Sequence, residues 1–360
     1  MKKILWIGSL LLVLLSLSAD ETERQKFKLI HADRMYMSNV ETAQILDLTG
    51  NVHFFYGDTE FRGNRALILD TQKIARLTGN VVVQNDSLHL VADSLAYYRI
   101  PQVLNLGGRV KLTQRTKDGF VRHMEGDHAI YDQGKDTFTV WSRVRAYDQK
   151  ENANAKCGYG FWDRPNGYAF LIEEPEVVTG VEDTLIIKAD KMELYEEEGK
   201  LIATFNVRTD SKDYHATSDF LIYFSEEEKA VFLGEPKFEN NFATAEAIEF
   251  QVYFKEQELT QVVLVDSCLV QFAAEENEER NNWVRAQDIV LNFAEGRILD
   301  FSADARVSYY FLQEEGEKQD FFINAADGDR LKAKFDEDNK LRLMDMGGNI
   351  RGTYRFKNDS

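Results

Sequence analysis

Seven aspartates recur at corresponding points of this 360-residue sequence, most of them after a small residue and before alternating apolar residues. They are Asp33, Asp93, Asp127, Asp190, Asp219, Asp288 and Asp329. Carboxylates at regular spacing could bind cations or act as general acid and base. Such a site needs carboxylates that converge from several directions, and one per repeat gives only a line. Because Asp hydrogen-bonds its own backbone at bends and tolerates unusual φ, we interpret the series as structural.

Other reactive residues form no recognisable catalytic pattern. The six histidines are scattered, and no HExxH, GxSxG, P-loop or CxxC pattern is present. "GYGFWD" (158–163) contains a GxG but lacks the strand–helix context of a dinucleotide site. The acidic triplets Glu196–Glu198 and Glu226–Glu228 coincide with turn signals and are interpreted as solvated hairpin tips. We therefore predict a protein that is not an enzyme, with no metal site and no cofactor.

The N-terminus and the net charge bear on location and partners. "MKK", an apolar run from Ile4 to Leu17 and Ser18-Ala19 have the order of a secretory signal peptide, predicted as residues 1–19. The apolar run is shorter than the roughly 20 residues of a membrane span. The prediction is a periplasmic protein, with an inner-membrane tether if the signal stays uncleaved. A formal net charge of −18 argues against nucleic acid as a partner.

An internal sequence repeat indicates the fold. "LTGNV" occurs at 48–52 and again at 77–81, and similar units end at 52, 81, 110, 144, 177, 207, 236, 270, 307 and 350. Each unit reads as two strands separated by a tight turn. Two strands in 29 residues are about 12 residues each, or roughly 40 Å, which is long for a strand. A bend halfway, at Gly50, Gly79 and Gly107-Gly108, makes each strand a V.

The predicted fold class is therefore all-β: an elongated, antiparallel, folded-over β-jellyroll (β-taco) solenoid of about ten 29–43-residue repeats. We expect a lead-in at 20–30, the solenoid at 31–352, and a seam between two lobes near 147–156, where the apolar alternation lapses. Cys157 and Cys268 lie three units apart, about 30 Å in such a stack, so no disulfide is expected between them. They are interpreted as small buried hydrophobes.

Alternation assigns an apolar inner face and a charged outer face. His53 and Glu60, for example, fall opposite their apolar neighbours. The predicted inner positions, which the family resemblance given next implies to bind lipid, are Val52, Phe54, Phe61, Val81, Val83, Leu88, Leu90, Val110 and Leu112.

The export signal, repeated "LTGNV", "ADSLAYY" and "GDHAIYD" together resemble the OstA-like family, the LptA-type periplasmic bridge proteins of lipopolysaccharide transport. The resemblance is clearest from 31 to about 145. It implies a β-jellyroll whose apolar groove carries the acyl chains of lipopolysaccharide toward the outer membrane. The implied partners are lipopolysaccharide and, through the end strands, other transport jellyrolls or a second copy. The alternative is a structural or adhesive surface solenoid with a closed interior.

Overall fold

The computed structural model describes residues 27–40, 43–86, 88–116, 118–180, 184–212, 214–241, 243–256, 258–273, 280–295, 297–315, 320–336 and 341–357. The predicted signal peptide and most of the lead-in lie outside these residues. The strands are β1 (Phe27–His31), β2 (Arg34–Val40), β3 (Ala43–Tyr56), β4 (Thr59–Leu69), β5 (Ile74–Gln84), β6 (His89–Tyr98), β7 (Val103–Arg115), β8 (Val121–Asp132), β9 (Thr137–Asp148), β10 (Ala153–Asp163), β11 (Tyr168–Ile172), β12 (Glu176–Thr179), β13 (Leu185–Lys188), β14 (Lys191–Tyr195), β15 (Lys200–Asp210), β16 (His215–Phe224), β17 (Lys229–Leu233), β18 (Lys237–Glu239), β19 (Ala243–Glu246), β20 (Glu249–Lys255), β21 (Glu258–Phe272), β22 (Asn282–Ala294), β23 (Arg297–Glu315), β24 (Asp320–Phe335), β25 (Leu341–Gly347) and β26 (Arg351–Lys357).

All strands join one antiparallel sheet in which consecutive strands pair as hairpins. This confirms the predicted all-β, antiparallel fold class. The pairing register shifts near the middle of most strands, for example between Thr49 and Val52 in the β3–β4 pair. Elsewhere the bend divides one pass of the chain into two short strands, as in β11 and β12. The sheet is thus folded along its middle.

The bends are consecutive residues with positive φ. Gly79 (φ 77°) and Asn80 (φ 49°) form one such pair inside β5. The described residues contain ten pairs, which begin at 50, 79, 108, 142, 173, 205, 234, 266, 305 and 348. Each lies within four residues before a unit end predicted from the sequence. Five pairs contain no glycine, and one begins at Phe205, so the neighbouring strands must compensate for a backbone conformation that L residues disfavour.

The recurring aspartates supply part of that compensation. The backbone N–H of Asp33 donates to the carbonyl of Gly50 on the next strand (3.0 Å), and that of Asp190 donates to Phe205 in the same way (3.0 Å). The Asp190 carboxylate also accepts a hydrogen bond from the Asn206 amide at 2.8 Å. These carboxylates therefore bind the bend of the neighbouring strand, rather than their own backbone as the sequence suggested.

Folding the sheet gives it two arms. The first arm contains the half-strands that end at turns such as 57–58 and 149–152, and the second arm contains those that end at turns such as 70–73 and 99–102. Apolar side chains fill the space between the arms in two clusters, one from Leu48 to Trp162 and one from Ile187 to Leu331. The predicted seam at 147–156 coincides with the β9–β10 hairpin.

Candidate functional site: the interior between the arms

All nine predicted lipid-binding residues lie on the first arm and point inward. The structure leaves each of them at most 2% exposed. Five of them form one continuous row across adjacent strands, in the register Phe54, Phe61, Val83, Leu90 and Leu112. Period-two alternation of a half-buried strand accounts for this placement.

The second arm provides the facing wall, which the sequence analysis did not single out. Its rows include Leu77, Leu95 and Leu104 together with Tyr97, all buried. The rings of Phe61 and Tyr97 stack across the interior with centroids 5.4 Å apart. Burial raises the pKa of Tyr97 to about 12, so this phenol stays neutral in the apolar wall. The alternation of inward and outward residues in "IARL" and "SLAYY" could have predicted this wall from the sequence.

The open side of the V, which we call the mouth, is bridged at two places. At the first, the Arg99 guanidinium from a second-arm turn lies 5.6 Å over the ring of Tyr56 at the first-arm edge. Arg99 also donates to the Asp70 carboxylate at 2.9 Å, and its side chain is only 9% exposed. That hydrogen bond lowers the pKa of Asp70, which keeps the carboxylate charged beside the arginine. The mouth is therefore closed over this part of the interior.

The second bridge is an ion-pair clasp around Arg122. Its guanidinium lies 2.7 Å from Asp148 on its own arm and 2.5 Å from Glu196 in a second-arm turn. The Arg122 side chain is 14% exposed and that of Glu196 is 43% exposed. One arginine thus connects the two rims of the sheet near the middle of the chain.

Toward the C-terminus the arms leave an apolar cleft between them. It is narrow, with a cavity volume of about 20 Å³, and is open on one side. Aromatic and aliphatic side chains from both arms line it, including Phe272 and Phe311 from the first arm and Phe301, Phe335 and Met344 from the second. The OstA-type repeats are weakest in this region, so the sequence analysis named no candidate residue here.

The contacts across the mouth are staggered along the sheet. Tyr97 on β6 meets Tyr56 on β3, three strand positions earlier, with ring centroids 5.9 Å apart. Arg122 lies on β8, and Glu196 directly follows β14. With β11–β12 and β13–β14 each counted as one strand position, Glu196 lies four positions after Arg122. The Phe61–Tyr97 stack joins β4 to β6, so the second-arm strands that face a given point of the first arm come two to four positions later in these contacts.

Comparison with known proteins identifies one segment. The family model described as OstA-like protein matches residues 24–135. We call these residues the OstA-like segment, after the family they resemble. The resemblance inferred from the sequence is confirmed over this range. A search of curated proteins found no match. Among solved structures, this chain is similar to LptH, the LptA-homologous periplasmic component of the lipopolysaccharide transport device of Pseudomonas aeruginosa, with 17% identity and a TM-score of 0.27, over 29% of this chain and 75% of LptH.

The OstA-like segment contains β1 to β8 and all nine predicted interior residues. The Arg122 clasp connects this segment to a turn beyond it, whereas the C-terminal cleft lies entirely outside it. The two parts nevertheless share one architecture, because paired positive-φ bends continue from 50 to 349.

The remaining candidate groups are the metal-ligating side chains and the two cysteines. No group of three or more His, Cys, Asp or Glu side chains within the described ranges could hold a metal ion. Cys157 and Cys268 are free thiols, and burial raises their pKa to about 11 and about 12. Such thiols stay protonated and unreactive. In the part of the chain that the structure describes, no helix has the length and apolarity that crossing a membrane requires.

Proposed function

We propose that this protein is a non-enzymatic, periplasmic lipopolysaccharide-binding bridge that carries lipid toward the outer membrane through the interior between its arms. The observation that supports this most is an OstA-like segment in which five of the nine predicted lipid-facing residues form one continuous apolar row on the inner face. An acyl chain in such an interior is held by burial alone, at about 25 cal/mol per Å² of apolar surface. Because neighbouring repeats offer similar surfaces, a chain can move between them over small barriers.

The second candidate function is a structural or adhesive surface solenoid. The near-complete burial of Phe54, Phe61 and Leu90 supports it, because lipid can reach these side chains only if the arms separate. The two functions differ in whether the inner face ever contacts lipid.

Site-specific photocrosslinking distinguishes them. A photoreactive amino acid replaces inward Phe54 (2% exposed) in one variant and its outward neighbour His53 in another, and each variant is expressed in cells that make lipopolysaccharide. The transport function predicts lipopolysaccharide adducts from position 54 and few from position 53. Equal labelling at both positions, or none at either, would favour the structural solenoid.

A further inference from the structure

The interior between the arms contains few polar side chains, and two of them meet at its C-terminal end. The Tyr309 hydroxyl donates to Oδ1 of Asn324 at 2.9 Å, and Nδ2 of Asn324 donates to the Tyr354 hydroxyl at 3.3 Å. Asn324 is 8% exposed and Tyr309 is 6% exposed. Burying an amide in an apolar wall is costly unless its hydrogen bonds are made. We call these three residues the polar chain.

The polar chain adjoins the apolar cleft directly. Tyr309 belongs to both, because its side chain also lines the cleft beside Phe272, Phe311 and Met344. Tyr309 thus places a chain of hydrogen-bonding groups next to an otherwise apolar cleft, and this arrangement matches the two halves of an amphiphile: a hydrocarbon chain and the ester or amide that ends it.

The outer end of the polar chain can be reached from solvent. Tyr354 pairs with Asn324 across β26 and β24, which places it on the inner face, yet it is 65% exposed. The stagger of the arms explains this exposure, because the second-arm strands that cover a first-arm strand come later in the chain, and β26 is the last strand that the structure describes. Tyr354 accepts from Asn324 and can donate its own proton to an acceptor on a ligand.

We propose that the C-terminal cleft is a discrete binding site for one acyl chain of an amphiphile, whose ester or amide group is hydrogen-bonded by the polar chain. The inference rests on the proposed function and deepens it, since it places a specific ligand contact outside the OstA-like segment. The cleft is narrow, so an entering chain moves the aromatic side chains of the two arms apart.

The test uses the purified mature protein and one probe, N-lauroylglucosamine with a diazirine in its acyl chain. Mass spectrometry of the photolabelled peptides should place adducts on the segments that contain Phe301, Phe311 and Phe335. Met344→Trp fills the cleft and should reduce labelling at least tenfold. Leu343→Trp is the matched control, because Leu343 is the outward neighbour and 54% exposed.

The polar chain is tested separately with conservative variants. Tyr309→Phe removes one hydroxyl and keeps the ring, so probe affinity should fall roughly fivefold to tenfold, the effect of one hydrogen bond. Tyr253→Phe, which removes a hydroxyl that donates to Gln251 outside the cleft, should leave it unchanged. A melting temperature within a degree or two of the wild type would show that the loss is in binding and not in folding.

The outcomes separate this inference from the proposed function. Labelling that Met344→Trp and Leu343→Trp reduce equally, or that neither variant reduces, overturns the cleft as the site. If lipopolysaccharide still crosslinks at position 54 in that case, the transport function stands and the ligand lies elsewhere in the interior. If Tyr309→Phe and Tyr253→Phe bind the probe equally well, the polar chain has only a structural role.

Discussion

Single residues at the bends determine whether this sheet can fold over. At Gly79 the positive φ is one constraint and the neighbouring strand is another: a Cβ built on this residue would lie 2.5 Å from Nδ2 of Asn64 and 2.9 Å from its Cβ. Gly119 also has a positive φ (88°), but nothing lies within 4 Å of its Cβ position. Comparing the two glycines therefore separates the free-energy cost of the left-handed backbone conformation from the cost of the close contact with Asn64.

We expect Gly79→Ala to destabilise the protein by about 2–4 kcal/mol and Gly119→Ala by only about 1 kcal/mol. The first substitution adds a steric clash at a bend to the strain of a left-handed alanine, and the second adds the strain alone. Urea unfolding followed by intrinsic tryptophan fluorescence measures both. Equal losses would mean that the Asn64 contact contributes nothing and that the backbone conformation alone requires glycine.

At the scale of strands, much of the fold could be predicted from the sequence and the mouth could not. Period-two alternation placed Val52, Phe54 and Val83 on the inner face, because that pattern is local to each strand. The contact between Arg122 and Glu196 joins residues 74 positions apart and depends on the stagger between the arms. The stagger results from sheet twist that accumulates over several strands, and the alternation within a single strand does not predict that twist. The C-terminal cleft was missed because the OstA-type repeats are weakest there.

The clasp should behave as one coupled unit. In a double-mutant cycle with Arg122→Gln and Glu196→Gln, we expect a coupling free energy of about 1 kcal/mol that shrinks as salt is added. Arg122 is largely buried, so this pair should exceed an exposed one. The Lys135–Asp132 pair, in which the lysine is 77% exposed, is the control and should couple by roughly 0.3 kcal/mol or less. Strictly additive effects at Arg122 and Glu196 would show that this contact does not hold the rims together.

The stagger has a further consequence for the described sheet as a whole, because it leaves inner-face residues exposed at both of its ends. At the N-terminal end these residues lie on the second arm of the sheet, β2. Met35 and Met37 pair with Leu48 and Leu46, which places them on the inner face, yet they are 59% and 65% exposed. At the C-terminal end the uncovered half-strand is the first arm, β26, with Tyr354. The two ends are therefore complementary: each presents the arm that the other lacks.

If the protein joins another jellyroll or a second copy through its ends, the uncovered inner face of β2 must become buried in the joint. Met37→Glu places a charge in that joint and should abolish end-to-end association, whereas Tyr36→Glu, on the adjacent outward position (68% exposed), should reduce it only weakly. Both variants should keep the wild-type β-sheet circular dichroism spectrum, because neither residue is part of the buried core. Analytical ultracentrifugation over a range of protein concentrations measures the association. Equal weakening by the two substitutions would point to a contact through the outer face or through the strand edge alone, and the complementary-end joint would then be wrong.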